Sequence, residues 1–193
     1  MPSSRRPTGT GTRRPRPATS EAAAVPSSGL PVDANVLAAA AEVGLRLEVT
    51  NGLPTWEAQP VYRHQKAAER IAQSIRPSGN GAGCGCVHAL DVHVQFPAGL
   101  KRPDIAVFCR EPAEAEQDAA LTLIPEAVVE VVSRGFEAKD FELGPPFHLS
   151  QGVKDVVVFD PSTLHVLHIR RDGVRRHASP VTLTLECGCT VDV

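Results

Sequence analysis

The chain has 193 residues and a formal charge of −2, from 20 Lys and Arg against 22 Asp and Glu. Five arginines (Arg5, Arg6, Arg13, Arg14, Arg16) and no acid lie in residues 1–20, so the other 173 residues hold 15 bases and all 22 acids, a net of −7. A body this acidic does not coat nucleic acid through bulk charge, and no apolar run approaches the ~18 residues that a membrane span needs.

Residues 1–32 hold six Pro, three Gly and many Ser and Thr. They bury too little to offset their ordering entropy and read as a disordered basic Pro/Ser/Arg-rich tail. Residues 33–193 have the length of one ordinary domain. No apolar stretch follows Arg5-Arg6, so no export signal is read, and a cytoplasmic location with reduced thiols is the expectation.

In chain order, Asp33 can cap a short Ala-rich helix over 34–43. Leu45, Leu47 and Val49 then alternate with polar residues as in a strand. Asn51-Gly52 predicts a tight hairpin turn, with a return strand over 53–58. Ala67, Ala68, Ile71, Ala72 and Ile75 mark one side of an amphipathic helix over 62–75. Residues 87–96 alternate as a strand, Pro97-Ala98-Gly99 turns the chain, and Ile105–Phe108 is the next strand. Residues 110–122 form an acidic Ala-rich loop or short helix. Ala127–Val132 is a β-branched run of the kind buried on both faces. A short helix around 146–151 follows, with Pro145 and Pro146 suited to its first turn. Val156–Phe159, 163–170 and two short closing strands complete an α/β domain with a mixed central sheet.

Two acids stand out by their surroundings. Asp104 precedes the apolar strand Ile105-Ala106-Val107-Phe108, and Glu130 lies inside Val128-Val129-Glu130-Val131-Val132. A carboxylate inside such a run is costly unless compensated. A divalent cation is one compensation, because Mg²⁺ takes oxygen ligands. A salt bridge from Glu130 to Arg102 or Arg46 is another, and Asp104 also reads as a strand-start turn residue. Two carboxylates on adjacent strands with a nearby Lys are the minimal set for metal-assisted phosphodiester hydrolysis.

Five segments in order resemble the Uma-type family of bacterial endonucleases, within the PD-(D/E)XK restriction-endonuclease-like superfamily. They are Leu47-Glu48-Val49-Thr50-Asn51-Gly52, His64-Gln65, Arg102-Pro103-Asp104, Val129-Glu130-Val131-Val132-Ser133, and Gly152 through Pro161. Coverage is about residues 45–193. The resemblance implies a restriction-endonuclease-like sheet flanked by helices, with an N-terminal helix and β-hairpin. It implies hydrolysis of DNA with Mg²⁺ or Mn²⁺ on Asp104 and Glu130, and Glu48 as an auxiliary acid. A homodimer would suit duplex DNA. The superfamily's Lys position two residues after the second acid is Val132 here, and the alternative position in the next helix is Gly144. Lys139 is the nearest candidate for that role. The other function class, a nuclease fold that kept binding and lost chemistry, is supported by those two empty positions.

Cys84-Gly85-Cys86 and Cys187-Gly188-Cys189 are identical tripeptides. A structural zinc on Cys84, Cys86, Cys187 and Cys189 is disfavoured, since one intervening residue strains a tetrahedral chelate. Buried small core residues are the expectation, with a reversible disulfide as a lesser alternative and Cys109 also in the core. His148 reads as an exposed helix residue, with a place near the catalytic pocket, on the helix after Glu130, as the alternative. His88 and His93 differ in parity and share no metal.

Overall fold

The computed structural model describes residues 34–79, 83–135 and 137–193. The basic tail and the Asp33 cap fall outside these residues. Helix α1 (Ala34–Glu42) leads into strand β1 (Leu45–Thr50), which pairs antiparallel with β2 (Leu53–Ala58). Asn51 and Gly52 both take positive φ, 50° and 83°, as the predicted two-residue turn demands. Helix α2 (Tyr62–Ser74) buries Ala67, Ala68, Ile71 and Ala72, the side picked out by its periodicity.

Four strands follow: β3 (Arg76–Pro77), β4 (Val87–Leu90), β5 (Val94–Phe96) and β6 (Gly99–Lys101). The strand expected over 87–96 is therefore two. It breaks at Asp91, whose φ of 60° no ladder residue adopts and whose side chain holds Arg46 and Arg102 instead. β6 belongs where a turn alone was expected. It lies against β1 at Val49↔Leu100 and Thr50↔Gly99. A Cβ on Gly99 would sit 2.0 Å from the Val49 carbonyl oxygen, so only a glycine permits that approach.

The remaining strands are β7 (Ile105–Phe108), β8 (Ala127–Val131), β9 (Asp155–Phe159), β10 (His165–Arg170), β11 (Gly173–Ala178), β12 (Thr182–Thr184) and β13 (Cys189–Asp192). Helix α3 (Gly144–Ser150) lies between β8 and β9, entered through a π-helical turn at Lys139–Leu143. The acidic stretch after β7 holds one short 3₁₀ turn, Glu114–Glu116.

The central sheet has the order β11-β10-β9-β8-β7-β4, and β8-β9 is its parallel pair, joined through α3. A four-stranded sheet (β2-β1-β6-β5) and a three-stranded one (β12-β13-β3) accompany it. The β-branched run in β8 sends Ala127, Val129 and Val131 into a core with α2 and with Leu183, Leu185, Val191 and Val193 of the small sheet. Val128 and Val132 enter a second core with Phe96 and Phe147. A strand covered on both faces has no polar side to spare, which explains the unbroken apolar run around Glu130. Among the described residues no helix is long and apolar enough to cross a membrane.

Candidate active site

The register Ile105↔Val129 of the antiparallel β7-β8 pair brings Asp104 opposite Glu130. The two are linked through the backbone. Val131 N–H donates to Asp104 Oδ2 at 2.8 Å, and Asp104 N–H points to Glu130 Oε2 at 3.4 Å. Both are buried, at 7% and 5% exposure. The two acids singled out from sequence therefore meet at one place.

Each is oriented by a histidine. His64, in the first turn of α2, places Nε2 3.0 Å from Asp104 Oδ2. His148, on α3, places Nε2 3.1 Å from Glu130 Oε1. Nδ1 of both rings is buried without a hydrogen-bond partner, so an Nε2–H donating to the carboxylate is the tautomer that leaves no donor stranded. His148 is 1% exposed, which corrects the expectation of an exposed helix residue. Burial alone would lower the His64 pKa, but the hydrogen bond and charge of Asp104 outweigh it and raise it. Arg46 Nη2 lies 3.5 Å from Asp104 Oδ1 and also pairs with Asp91. Arg46 thus serves Asp104, while Glu130 takes His148 instead of the arginine considered from sequence.

A second group of charges adjoins the first. Glu48 of β1, 2% exposed, accepts from Lys101 Nζ at 3.1 Å and from the Arg102 N–H at 3.1 Å. Lys139 Nζ lies 3.3 Å from Glu48 Oε2, 2.5 Å from Glu57 Oε1 and 4.0 Å from Asp140 Oδ1. Burial would raise Glu48, but Lys139 and Lys101 outweigh it and hold it at about 2. Burial would lower Lys139, but Glu48, Glu130 and Glu57 push it up instead. Asp140, buried and facing the charge of Glu130, is pushed up to about 7. Lys139 is consequently no free surface lysine: a π-helical turn aims it at the acids of the hairpin.

Glu57, His64 and Asp140 were not assigned to the site from sequence, where Arg46 is considered as a partner of Glu130, Lys101 as a phosphate contact and His148 as a residue near the pocket. His64 lies three and four residues before Ala67 and Ala68, on the apolar side of α2, and that spacing was the available signal of its burial. The other two join through strand and helix packing that spacing along the chain does not reveal.

A cleft of about 540 Å³ opens beside His64, at the end of the parallel pair, lined by Arg63, His64, Ser133, Arg134 and Asp160 among others. Asp104 borders it through His64, and neither Asp104 nor Glu130 lines it.

The model of a family described as "Putative restriction endonuclease", Uma2, matches residues 36–187. The chain belongs to the Uma2 family. The Uma2 fold is also that of a crystal structure from Anabaena variabilis ATCC 29413, described as a putative nuclease belonging to DUF820. The likeness has a TM-score of 0.53 at 17% identity and covers 71% of this chain and 79% of that one. At such low identity it establishes the restriction-endonuclease-like α/β fold and nothing finer. No curated protein matches the chain.

Proposed function

We propose that this Uma2 chain is a metal-dependent endonuclease that hydrolyses DNA phosphodiester bonds, with Asp104 and Glu130 holding a divalent ion, Mg²⁺ by choice, and Lys139 and Glu48 assisting. The observation that carries the reading is the meeting of two buried carboxylates, from neighbouring strands, in a set where acids exceed bases. Four buried carboxylates (Glu48, Glu57, Asp104, Glu130), with Asp140 pushed up to about 7 beside them, face three permanent cations (Arg46, Lys101, Lys139) and the two histidines on Asp104 and Glu130. Desolvated excess negative charge is expensive, and a cation offsets it. The donor set suits a hard ion, since Asp104 Oδ1 and Glu130 Oε2 receive only long contacts of 3.5 and 3.4 Å and keep lone pairs free. When bound, the ion would supply an activated water and neutralise charge on the phosphate.

The chain's own residues do the rest. His64 and Arg46 fix Asp104, and His148 fixes Glu130, so neither carboxylate need reorganise. Arg63 and Arg134 flank the adjoining cleft and can pair with the phosphates of a bound strand. Lys139 adds a permanent positive charge beside the acids. A cytoplasmic location and a two-fold pair of chains on a duplex belong to the same reading; size-exclusion chromatography with light scattering reads the latter.

The test is cleavage of plasmid DNA with Mg²⁺ or Mn²⁺. Cleavage should disappear in Asp104→Ala and in Glu130→Ala, and robust cleavage by both variants would sink the assignment. One observation favours the alternative of a degenerate, binding-only fold: the nearest carboxylates to Lys139 Nζ are Glu57 and Glu48, not Asp104 or Glu130. Metal-dependent DNA binding by the wild type without any cleavage would decide for it.

A further inference from the structure

All five cysteines converge at one place, away from the acids. Cys84 and Cys86 precede β4, Cys109 follows β7, and Cys187 and Cys189 straddle the turn into β13. Cys84 is bonded to Cys109 and Cys86 to Cys189, while Cys187 is free and buried. The pairs are not isolated from each other. Cys84 Sγ lies 3.5 Å from Cys189 Sγ. The sulfurs of Cys84, Cys86 and Cys189 all lie within 4.8 Å of one another, and so do those of Cys84, Cys109 and Cys187. Cys84 is common to both triples. The cysteines are core residues, as expected, and they also meet: the two Cys-Gly-Cys segments come together and Cys109 joins them.

The backbone builds this meeting. Gly85 N–H donates to the Cys109 carbonyl at 2.9 Å, and a Cβ on Gly85 would come within 3.1 Å of that oxygen. Leu185 N–H donates to the Cys189 carbonyl at 2.8 Å and Gly188 N–H to the Leu185 carbonyl at 3.0 Å, closing a tight loop around Cys187. Two short loops with a sulfur at each end thus face each other across the end of β7. Tetrahedral coordination with Zn–S bonds of about 2.3 Å sets neighbouring sulfurs roughly 3.8 Å apart. The 3.5 Å between Cys84 Sγ and Cys189 Sγ is close to that value, and any four-sulfur set that includes Cys109 keeps one Cys-Gly-Cys chelate instead of two.

We propose that in the reduced chain these cysteines form a structural tetrathiolate site for Zn²⁺, with Cys84 and three of Cys86, Cys109, Cys187 and Cys189 as ligands. Soft thiolates select such an ion over Mg²⁺. Binding replaces four S–H protons, which leave to solvent, with four Zn–S bonds, and no electron is transferred. The two disulfides are the oxidised form of the same cluster. Each returns to dithiol by taking two electrons and two protons, both from two thiols that become a disulfide, or the electrons from a phosphine that becomes its oxide and the protons from water.

The site would tie the small sheet to the edge of the central sheet, because β13 pairs with β3 directly after α2 and β4 is the edge strand beside β7. The test is metal analysis by inductively coupled plasma mass spectrometry. The full-length chain is purified under argon with a phosphine reductant and no chelator. Zinc near one per chain is expected, falling to near zero in Cys84→Ser and unchanged in Glu130→Ala, which separates this site from the acidic one. Should Cys84→Ser fail to fold, cobalt replaces zinc in the wild type, and the intense visible bands of tetrahedral cobalt thiolate are expected. Absent zinc overturns the proposal, whether thiol titration then reads five free thiols or one. So does zinc retained in soluble Cys84→Ser, or iron in place of zinc.

Discussion

Two buried charge networks in this molecule are built on opposite principles. In one, Asp155 at the start of β9 is completely buried and closed off. Its Oδ1 pairs with His168 Nε2 at 2.7 Å and with Arg170, and its Oδ2 accepts from the Glu186 N–H at 2.8 Å. One carboxylate meets one guanidinium, one imidazole and one amide, and nothing is left over. In the other, around Asp104 and Glu130, acids exceed bases and two carboxylate oxygens have only long contacts. A network that closes on itself stabilises a fold. One that stays open and negative stores an appetite for a cation.

The comparison breaks most sharply on activity. Asp104→Asn and Glu130→Gln keep the shape and remove the charge. Each should lower metal-dependent cleavage by about a thousandfold, the several kcal/mol that a bound ion supplies, with far-ultraviolet circular dichroism unchanged. Asp155→Asn should do the reverse: cleavage by the folded fraction persists, while urea unfolding shows a loss of about 3 kcal/mol, because Arg170 and His168 lose their partner. Lys139→Gln should cost about a hundredfold in cleavage. Saturating Mn²⁺ should raise the wild-type melting temperature by about 5 °C through linkage, and Glu130→Gln should abolish the shift.

The smallest effect is in pH, and its sign differs between the networks. The Asp155 carboxyl is held below its ordinary value by His168, Glu186 and Arg170 against burial. Its contribution is therefore fully present above about pH 4 and lost as pH falls through the folded value. Without metal, the stability difference between wild type and Asp155→Asn should narrow in acid. Asp140 is raised to about 7 by burial and by Glu130. Its contribution is present below about pH 4 and lost as pH rises toward 7. Urea melts from pH 4 to 7 should show that slope in the wild type and not in Asp140→Asn.

The hairpin was legible because Asn51-Gly52 forces one turn, and β8 because only a doubly covered strand is β-branched throughout. Asp104 and Glu130 were legible because carboxylates have no business in such runs. The split between β4 and β5 was not, since alternation continues past Asp91 and only its positive φ breaks the ladder. Nor were the partners of the acids. His64 reaches Asp104 across 40 residues of sequence through packing of α2, and Lys101 reaches Glu48 across 53 through pairing of β6. The cysteine cluster shows both sides. Its repeated tripeptide is visible in the sequence, whereas Cys109 is recruited by the antiparallel pairing of β4 with β7.

Gly99 carries no functional group, yet it gauges the clearance of the site. A Cβ there would strike the carbonyl of Val49, the residue after Glu48, and would come within 3.5 Å of Phe147, the residue before His148. Lys101 lies two residues further along the same strand. One hydrogen atom therefore sets the distance between the strands that deliver Glu48 and Lys101. A methyl group in its place would push β1 and β6 apart, leaving both charged residues present and neither in position.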